Sequence, residues 1–427
     1  MIKKIGIPII SAVVIFAIAA TIDFDDSVTL ANLPQNIYSV TPVTTPIKVT
    51  TLTIEPSLIQ VDAETKTAEK TIIDNSSYSG AGFVFPFLQK SFGIDVSTTT
   101  LTVDDWDLGS DSILPSSVWV DETGGANNGN VYYGTAAANN LRSLNPATDV
   151  ETTWDIGGTV NYVNGNTSGE PFFFMVDGST TYVAILDPIN DELTKWNVTP
   201  NIHGHENAID DSGIIYSIDN VVSTIHSLNP SNNELKVWDV QSVCPKSGFA
   251  FHGLSFDSTT DLIYANQLEV IELCVLDPSN NDVTLYDTGL DFGRTWHNAI
   301  GPTNPGHVYV ATNLHGGGDG RKVVLIDTIN NESTVWELTG QHDAYTINVD
   351  SNGLVWIYTV RDSVGTTWES GLVMLNPATN SVTEWSLGYD SGLSSYTELY
   401  TAANGDVWVN VSHTASGTND HLLRFSD

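Results

Sequence analysis

The chain has 427 residues and carries 51 acidic against 15 basic residues, a formal net charge of −36. That charge repels phosphate backbones at long range and therefore argues against nucleic acid as a partner. No acidic run has the spacing of an EF-hand loop, so the acidity favours a solvated surface that keeps the protein soluble, with a specific cation store as the alternative.

Residues 1–22 combine a short basic start at Lys3 and Lys4 with an apolar run from Ile5 to Ala20. This pattern predicts a secretory signal peptide, with an uncleaved membrane anchor as the alternative. Either segment exports the rest of the chain, so we expect an extracellular or cell-surface protein that meets the membrane only through its N-terminus. Five Asn-x-Ser/Thr sequons are compatible with that compartment: Asn75, Asn166, Asn197, Asn331 and Asn410.

Residues 23–96 lack the pattern of the rest of the chain. The Pro- and Thr-rich stretch from Thr41 to Pro56 predicts an extended spacer. The sequence does not assign residues 57–96 to any element.

A repeated phrase organises residues 97–427. It consists of Leu or Ile, then Asn or Asp, usually Pro, a polar turn, and an aromatic residue about ten positions after the first. Successive aromatic residues are 42 to 50 positions apart, by subtraction of residue numbers, and such a period is typical of a propeller or solenoid. The seven aromatic residues are Trp106, Trp154, Trp196, Trp238, Tyr286, Trp336 and Trp385.

Each period contains four strand-like segments. In the unit that ends at Trp238, apolar runs surround Ala208, Ile214–Ile218, Thr224–Leu228 and Glu234–Trp238. The Asn-Pro or Asp-Pro pair supplies the turn between the last two segments. The sequence therefore predicts an all-β fold, a seven-bladed β-propeller of four-stranded antiparallel blades over residues 97–427.

The last blade has only three predicted strands of its own, which end at Leu422–Phe425. The orphan segment Thr98–Trp106 supplies a fourth strand, so we expect an N-terminal strand to close the ring and remove two open sheet edges.

The two cysteines, Cys244 and Cys274, fall in the loop entering one blade and in the third strand of the same blade. In an exported protein this placement favours a disulfide, and two separately buried thiols are the alternative.

Four histidines precede the innermost strands of successive blades, at spacings of 47, 45 and 45 residues. Imidazoles at one height would converge on the channel mouth, where they bind transition metals or act as bases. Glu206 directly follows the first of them and is a candidate partner. A purely structural role, copied with each duplication, is the alternative. The candidate metal ligands are His205, His252, His297 and His342.

The phrase from Leu375 to Trp385, a histidine ahead of the first strand and Gly-x-x-Trp at Gly353 and Gly405 together resemble the streptogramin lyase, or virginiamycin B lyase-like, propellers. The resemblance covers about residues 97–427. It implies ring opening of a cyclic depsipeptide by elimination, in which magnesium polarises the ester region and a histidine takes the α-proton.

Carried onto this chain, the resemblance implies catalytic roles for His205, His252 and Asp219. At the position of the family's acidic ligand only Asp219 keeps a carboxylate, since the other blades have Asn266, Ala311 and Thr359. The resemblance thus implies magnesium, whereas a histidine-rich ring favours zinc or copper.

Two functions remain open at this stage. The first is a metal-assisted lyase that acts on a small molecule at the channel mouth. The second is a non-catalytic cell-surface propeller that binds a protein or glycan partner.

Overall fold

The computed structural model describes residues 27–30, 35–39, 42–46, 48–53, 57–67, 70–74, 97–108, 115–135, 139–198, 206–219, 223–244, 251–267, 272–287, 294–313, 322–338, 343–362, 368–390, 398–411 and 420–426. Strands and turns make up these ranges. None of the described residues forms a helix long and apolar enough to cross a membrane. The predicted signal or anchor lies outside them.

Seven strands precede the first complete blade: β1 (Ser27–Leu30), β2 (Gln35–Ser39), β3 (Pro42–Pro46), β4 (Lys48–Thr53), β5 (Ser57–Thr67), β6 (Lys70–Asp74) and β7 (Ser97–Asp107). Blades one to three follow as β8 (Pro115–Val120), β9 (Val131–Thr135), β10 (Asn140–Asn145), β11 (Val150–Asp155), β12 (Thr159–Gly165), β13 (Pro171–Asp177), β14 (Thr180–Asp187), β15 (Glu192–Asn197), β16 (Asn207–Ile209), β17 (Ile215–Asp219), β18 (Thr224–Asn229) and β19 (Glu234–Asp239).

Blades four to seven continue as β20 (Phe251–Asp257), β21 (Leu262–Gln267), β22 (Glu272–Asp277), β23 (Asp282–Asp287), β24 (Arg294–Ile300), β25 (His307–Asn313), β26 (Lys322–Asp327), β27 (Glu332–Glu337), β28 (Asp343–Val349), β29 (Val355–Asp362), β30 (Trp368–Asn376), β31 (Ser381–Asp390), β32 (Leu399–Thr401), β33 (Val407–Val411) and β34 (His421–Ser426). Within each blade consecutive strands pair antiparallel, which confirms the predicted propeller.

The N-terminal closing strand is also confirmed. β34 pairs antiparallel with β7, from His421 opposite Asp107 to Ser426 opposite Thr102. Blade seven is therefore built from both ends of the repeat region, and Trp106 from the first repeat stacks on Trp408 at 5.5 Å between ring centroids.

Residues 27–74 add a fifth strand around the outside of the propeller. Going along the chain, β1 pairs with blade four, β2 with blade three, β3 with blade two and β4 with blade one. β5 lies between β31 and β7 and so joins blades six and seven, and β6 pairs with blade five. These strands cover the outer edges of the blades, which would otherwise be open to other chains. The sequence assigned this stretch no pairing partner.

The repeated phrase links neighbouring blades through its hairpin. The first Asn or Asp side chain accepts a backbone N–H two residues on, as Asn229 Oδ1 does from Ser231 at 3.0 Å. A second Asn or Asp, four positions later, adopts positive φ and accepts the indole N–H of the preceding blade's tryptophan. Trp238 Nε1, for example, donates to Asn281 Oδ1 at 2.9 Å. The same bond joins Trp106 to Asp149, Trp154 to Asp191, Trp196 to Asn233 and Trp336 to Asn380.

Buried apolar side chains of the described residues form seven clusters, and each cluster fills the interface between two adjacent blades. One of them, between blades three and four, contains the disulfide Cys244–Cys274, with Cα atoms 6.0 Å apart. The favoured pairing of the cysteines is thereby confirmed, and both sulfur atoms are withdrawn from solvent.

Candidate functional site

A common register aligns the seven innermost strands. In every blade the second strand carries an aromatic residue near its start, and the residue paired with it on the first strand marks one height along the channel. The pairs are Trp119 and Tyr132, Asn164 and Phe172, Ala208 and Tyr216, Ser255 and Tyr264, Ala299 and Tyr309, Asn348 and Trp356, and Tyr400 and Trp408.

Two residues before this reference position, each blade contributes one residue to what we call the inner tier. Its members are Ser117, Tyr162, Glu206, Gly253, His297, Thr346 and Glu398. Six of the seven line a central cavity of about 410 Å³, and glycine is the exception. The tier therefore concentrates two carboxylates, an imidazole and three hydroxyls at one level.

Glu206, His297 and Glu398 meet although they come from blades three, five and seven. One ligand atom from each lies within 4.8 Å of the other two. His297 Nδ1 hydrogen-bonds Glu206 Oε1, and it lies 3.7 Å from Glu398 Oε1. His297 is 4% exposed, so this pairing of charges takes place away from bulk water.

Backbone and hydroxyl donors orient the two carboxylates. Leu254 N–H in blade four donates to Glu206 Oε2, and Thr346 Oγ1 in blade six donates to Glu398 Oε2 at 3.3 Å. The backbone of Glu398 is fixed by Asn410, whose Oδ1 accepts its N–H at 2.6 Å. Glu398 Oε1 is buried and has no hydrogen-bond partner among the described residues. One oxygen of each carboxylate is thus held, and the other is directed at the imidazole.

The pKa values of the three groups are strongly displaced. Burial on its own lowers the pKa of His297, but the carboxylates of Glu398 and Glu206 outweigh it and raise that pKa to about 9. Burial raises the pKa of Glu398 to about 7, although attraction to His297 opposes the shift. Burial likewise raises the pKa of Glu206 against the attraction of His297. Near neutral pH the cluster therefore holds an imidazolium between two carboxyl groups, one of them partly protonated.

Of the four predicted histidine ligands the structure describes His252 and His297, and these two occupy different positions relative to the reference residue of their strands. His252 lies three residues before Ser255, whereas His297 lies two residues before Ala299, because the innermost strands contain irregular pairings at different points. His252 Nδ1 donates to Trp296 O at 3.1 Å, and its ring centroid lies 5.7 Å from that of His297. His297 lines the cavity, and His252 is absent from its described lining. His205 and His342 lie outside the described residues, so binding by the full set stays a prediction.

Asp219 is buried at the end of β17, where it pairs with Thr224, and it is absent from the described cavity lining. Its catalytic role also stays a prediction. Asn266, at the corresponding place in blade four, bonds to side chains of blade five. The carboxylates of the cavity come instead from the innermost strands.

Glu206 was a predicted partner of the histidines, whereas Glu398 was missed. The missed signal is its distance from the second strand. Glu398 precedes Trp408 by ten residues, as Glu206 precedes Tyr216 and Thr346 precedes Trp356. A spacing of ten residues before these aromatic residues identifies Tyr162, Glu206, Thr346 and Glu398, whereas His297 lies twelve residues before Tyr309.

Comparison with solved structures returns streptogramin lyases, which the sequence resembles, among its matches. A streptogramin B lyase structure has a TM-score of 0.58 at 13% identity, covering 76% of this chain and 98% of that chain. Virginiamycin B lyase from Staphylococcus aureus has a TM-score of 0.57 at 12% identity, covering 77% and 99%. U3-55K has a TM-score of 0.52 at 9% identity, covering 76% and 98%. No family model and no curated protein sequence matches the chain. At these identities the likeness shows the fold alone.

Proposed function

We propose that this protein is an exported, metal-assisted, lyase-like propeller that acts on a small molecule at the mouth of its channel. The observation that carries the proposal is the convergence of Glu206, His297 and Glu398 in a polar cavity of about 410 Å³. Cavities of about 300–1,000 Å³ are the usual size of small-molecule sites. The resemblance to streptogramin lyases supplies the reaction class.

The donor set fits a divalent cation. Two carboxylates and one imidazole offer two hard oxygen ligands and one nitrogen ligand within 4.8 Å of one another. Glu398 Oε1, buried without a hydrogen-bond partner among the described residues, is the kind of atom that a cation satisfies. Because one ligand is nitrogen, the set suits Mn²⁺ or Zn²⁺ better than Mg²⁺, which prefers oxygen ligands. A cation bound there supplies Lewis-acid polarisation of a substrate carbonyl.

His252, outside the described cavity lining but with its ring centroid 5.7 Å from that of His297, is the proposed base. Its Nδ1–H donates to the carbonyl of Trp296, so Nε2 is the ring nitrogen that can accept a proton. In the elimination, Nε2 takes the proton on the carbon next to the carbonyl. The electron pair of that C–H bond forms a C=C bond, and the ester C–O bond breaks to release a carboxylate. No water is consumed, which distinguishes elimination from hydrolysis.

Metal binding and proton release should be coupled at this site. His297 must lose the proton that Glu398 and Glu206 stabilise before its nitrogen can act as a ligand. We therefore predict that Mn²⁺ affinity of the full chain rises with pH between 6 and 9. Isothermal titration calorimetry in buffers of different ionisation enthalpy should register the released proton.

Single substitutions test the ligand set. Glu206→Gln and Glu398→Gln should each weaken Mn²⁺ binding by at least about tenfold. Loss of a residue that only orients a metal ligand typically costs about 10–100-fold in affinity, and loss of a ligand itself should cost at least as much. His226→Leu, which alters a buried histidine on β18, is the matched control and should bind Mn²⁺ like the wild type. A wild-type chain that binds neither Mn²⁺ nor Zn²⁺ and leaves a streptogramin B depsipeptide intact would favour the surface-binding alternative.

Export is part of the same proposal. The disulfide Cys244–Cys274 supports it, because disulfides persist mainly in oxidising compartments. Protease added to intact cells should degrade the propeller. Complete protection until lysis would contradict export.

A further inference from the structure

The strand that carries His297 has an irregular pairing at that point. Thr295 pairs with Thr312 and Asn298 with Val310, so Trp296 and His297 stand opposite a single residue of β25. Such a bulge re-aims its side chains, and its geometry has to be fixed from outside the ladder. The direction of the His297 imidazole therefore depends on what holds the two ends of the bulge.

Asn266, on β21 of blade four, contacts both ends. Its Nδ2 donates to Thr295 Oγ1 at 3.1 Å and to Thr295 O at 3.3 Å. Its Oδ1 accepts from Asn298 Nδ2 at 2.8 Å. Asn266 is 1% exposed, so these bonds form where water does not compete for them. One amide thus spans the bulge from the neighbouring blade.

Gly253 leaves the space that the Asn266 amide occupies. It pairs with Asn266 across strands β20 and β21. A Cβ at position 253 would lie 2.0 Å from Asn266 Oδ1 and 2.9 Å from both His297 Cα and Asn298 N. Any side chain here would displace either the amide or the strand that carries His297. The absence of a side chain from blade four at the inner tier therefore has a steric reason.

We propose that Asn266 and Gly253 are positioning residues that hold the His297 bulge, so that the imidazole meets Glu206 and Glu398 in the geometry a divalent cation or a proton transfer requires. The expected effect on cation binding rests on the proposed function. The expected effect on the hydrogen bond between His297 and Glu206 does not. Asn266 is not itself among the described residues that line the cavity, and it contacts the site through Thr295 and Asn298.

Substitutions of the full chain separate positioning from stability. Asn266→Ala should weaken Mn²⁺ binding about tenfold or more, as loss of an orienting partner does in other metal sites. Gly253→Ala should have a similar effect with Asn266 intact. The double variant should lose less than the two single losses combined, because both act on one contact. Gly125→Ala is the glycine control, since a Cβ there meets only Thr123 Oγ1 at 3.5 Å.

A control for stability is Trp238→Phe, which removes an interblade hydrogen bond between two residues that do not line the cavity. It should lower the melting temperature while leaving Mn²⁺ affinity unchanged. An Asn266→Ala chain whose Mn²⁺ affinity equals that of the wild type overturns the proposal.

A second measurement covers the case in which the wild type binds no Mn²⁺ and the proposed function fails. With ¹⁵N-histidine labelling at fixed pH, the Nδ1 signal of His297 reports its hydrogen bond to Glu206 without metal. Asn266→Ala and Gly253→Ala should both shift that signal, and Trp238→Phe should not. An unshifted His297 signal in the first two variants means that Asn266 has no positioning role.

Discussion

Hydrogen bonds between an indole and a hairpin residue join neighbouring blades at five of the six repeat tryptophans, and Trp385 is the exception. Trp385 Nε1 is buried with no hydrogen-bond partner among the described residues. The next blade has no hairpin between its last two strands, because β34 and β7 come from distant parts of the chain. By register, Leu101 takes the place that Asp149 has in blade one, and it packs with Trp385 in an apolar cluster.

This difference gives a matched pair of substitutions. Trp238→Phe and Trp385→Phe remove the same atoms from buried sites, but only the first also removes a hydrogen bond and leaves Asn281 Oδ1 without its donor. We expect Trp238→Phe to cost about 1 kcal/mol more in free energy of unfolding than Trp385→Phe. Chemical denaturation of both variants measures the difference, and equal losses would mean that the indole bond contributes nothing.

His226 should make stability depend on pH. Burial lowers its pKa to about 4 in the folded chain, against about 6.5 unfolded. Between these values the unfolded chain binds the proton first, so the stability that a neutral His226 provides is present above pH 6.5 and lost as pH falls toward 4. From pH 7 to pH 5 this contribution amounts to about 2 kcal/mol.

The test compares the wild type with His226→Leu. The variant keeps a buried side chain and loses one hydrogen bond, between Nε2 and Thr224 Oγ1 at 2.8 Å. Its free energy of unfolding should fall less than that of the wild type between pH 7 and pH 5. Parallel pH profiles for the two chains would exclude His226 as the acid-sensitive group.

The sequence predicted the strands and turns whose conformation is determined by residues close to them in the chain. The predicted strands Thr224–Leu228 and Glu234–Trp238 correspond to β18 and β19 within one residue. Asn229 and Pro230 fix the turn between them through their own side chains and backbone. Because the same phrase recurs along the chain, the strand prediction for this unit applies to every blade. Trp106 marks the copy of the phrase that lies in the closing strand.

Elements whose geometry depends on contacts between blades were not predicted. The bulge at Trp296 and His297 shifts the imidazole by one position relative to His252, and a shift of one residue moves a side chain to the other face of a strand. Equal spacing in sequence therefore did not give equal height in the channel. Asn266, which contacts the bulge from blade four, is separated in sequence from the two ends of the bulge by 29 and 32 residues and carries no local signal.

For the whole molecule, the number of blades and the closure followed from the repeat, whereas the outer strands of residues 27–74 did not. Backbone pairing at an exposed sheet edge makes few demands on side-chain type, so a Thr- and Pro-rich stretch shows little alternation that would reveal its partner. Which blade each of the strands β1 to β6 pairs with depends on the edges that the assembled ring presents, and not on a pattern within those strands.

Ring closure by β7 should contribute substantially to the stability of the folded propeller. β7 places Leu101, Val103 and Trp106 in the core, each at most 3% exposed. Burial of three such side chains contributes about 5–9 kcal/mol, which is comparable to the whole stability of many domains.

We therefore expect a chain that begins at residue 108 to lose its sharp thermal transition. A chain that begins at residue 54 lacks β1 to β4 but keeps β5, β6 and β7, so it should still melt cooperatively, at a lower temperature than the full chain. Differential scanning calorimetry of the two truncations decides between closure by β7 and a ring that holds without it: a chain from residue 108 that melts as sharply and as high as the one from residue 54 would show that β7 is dispensable.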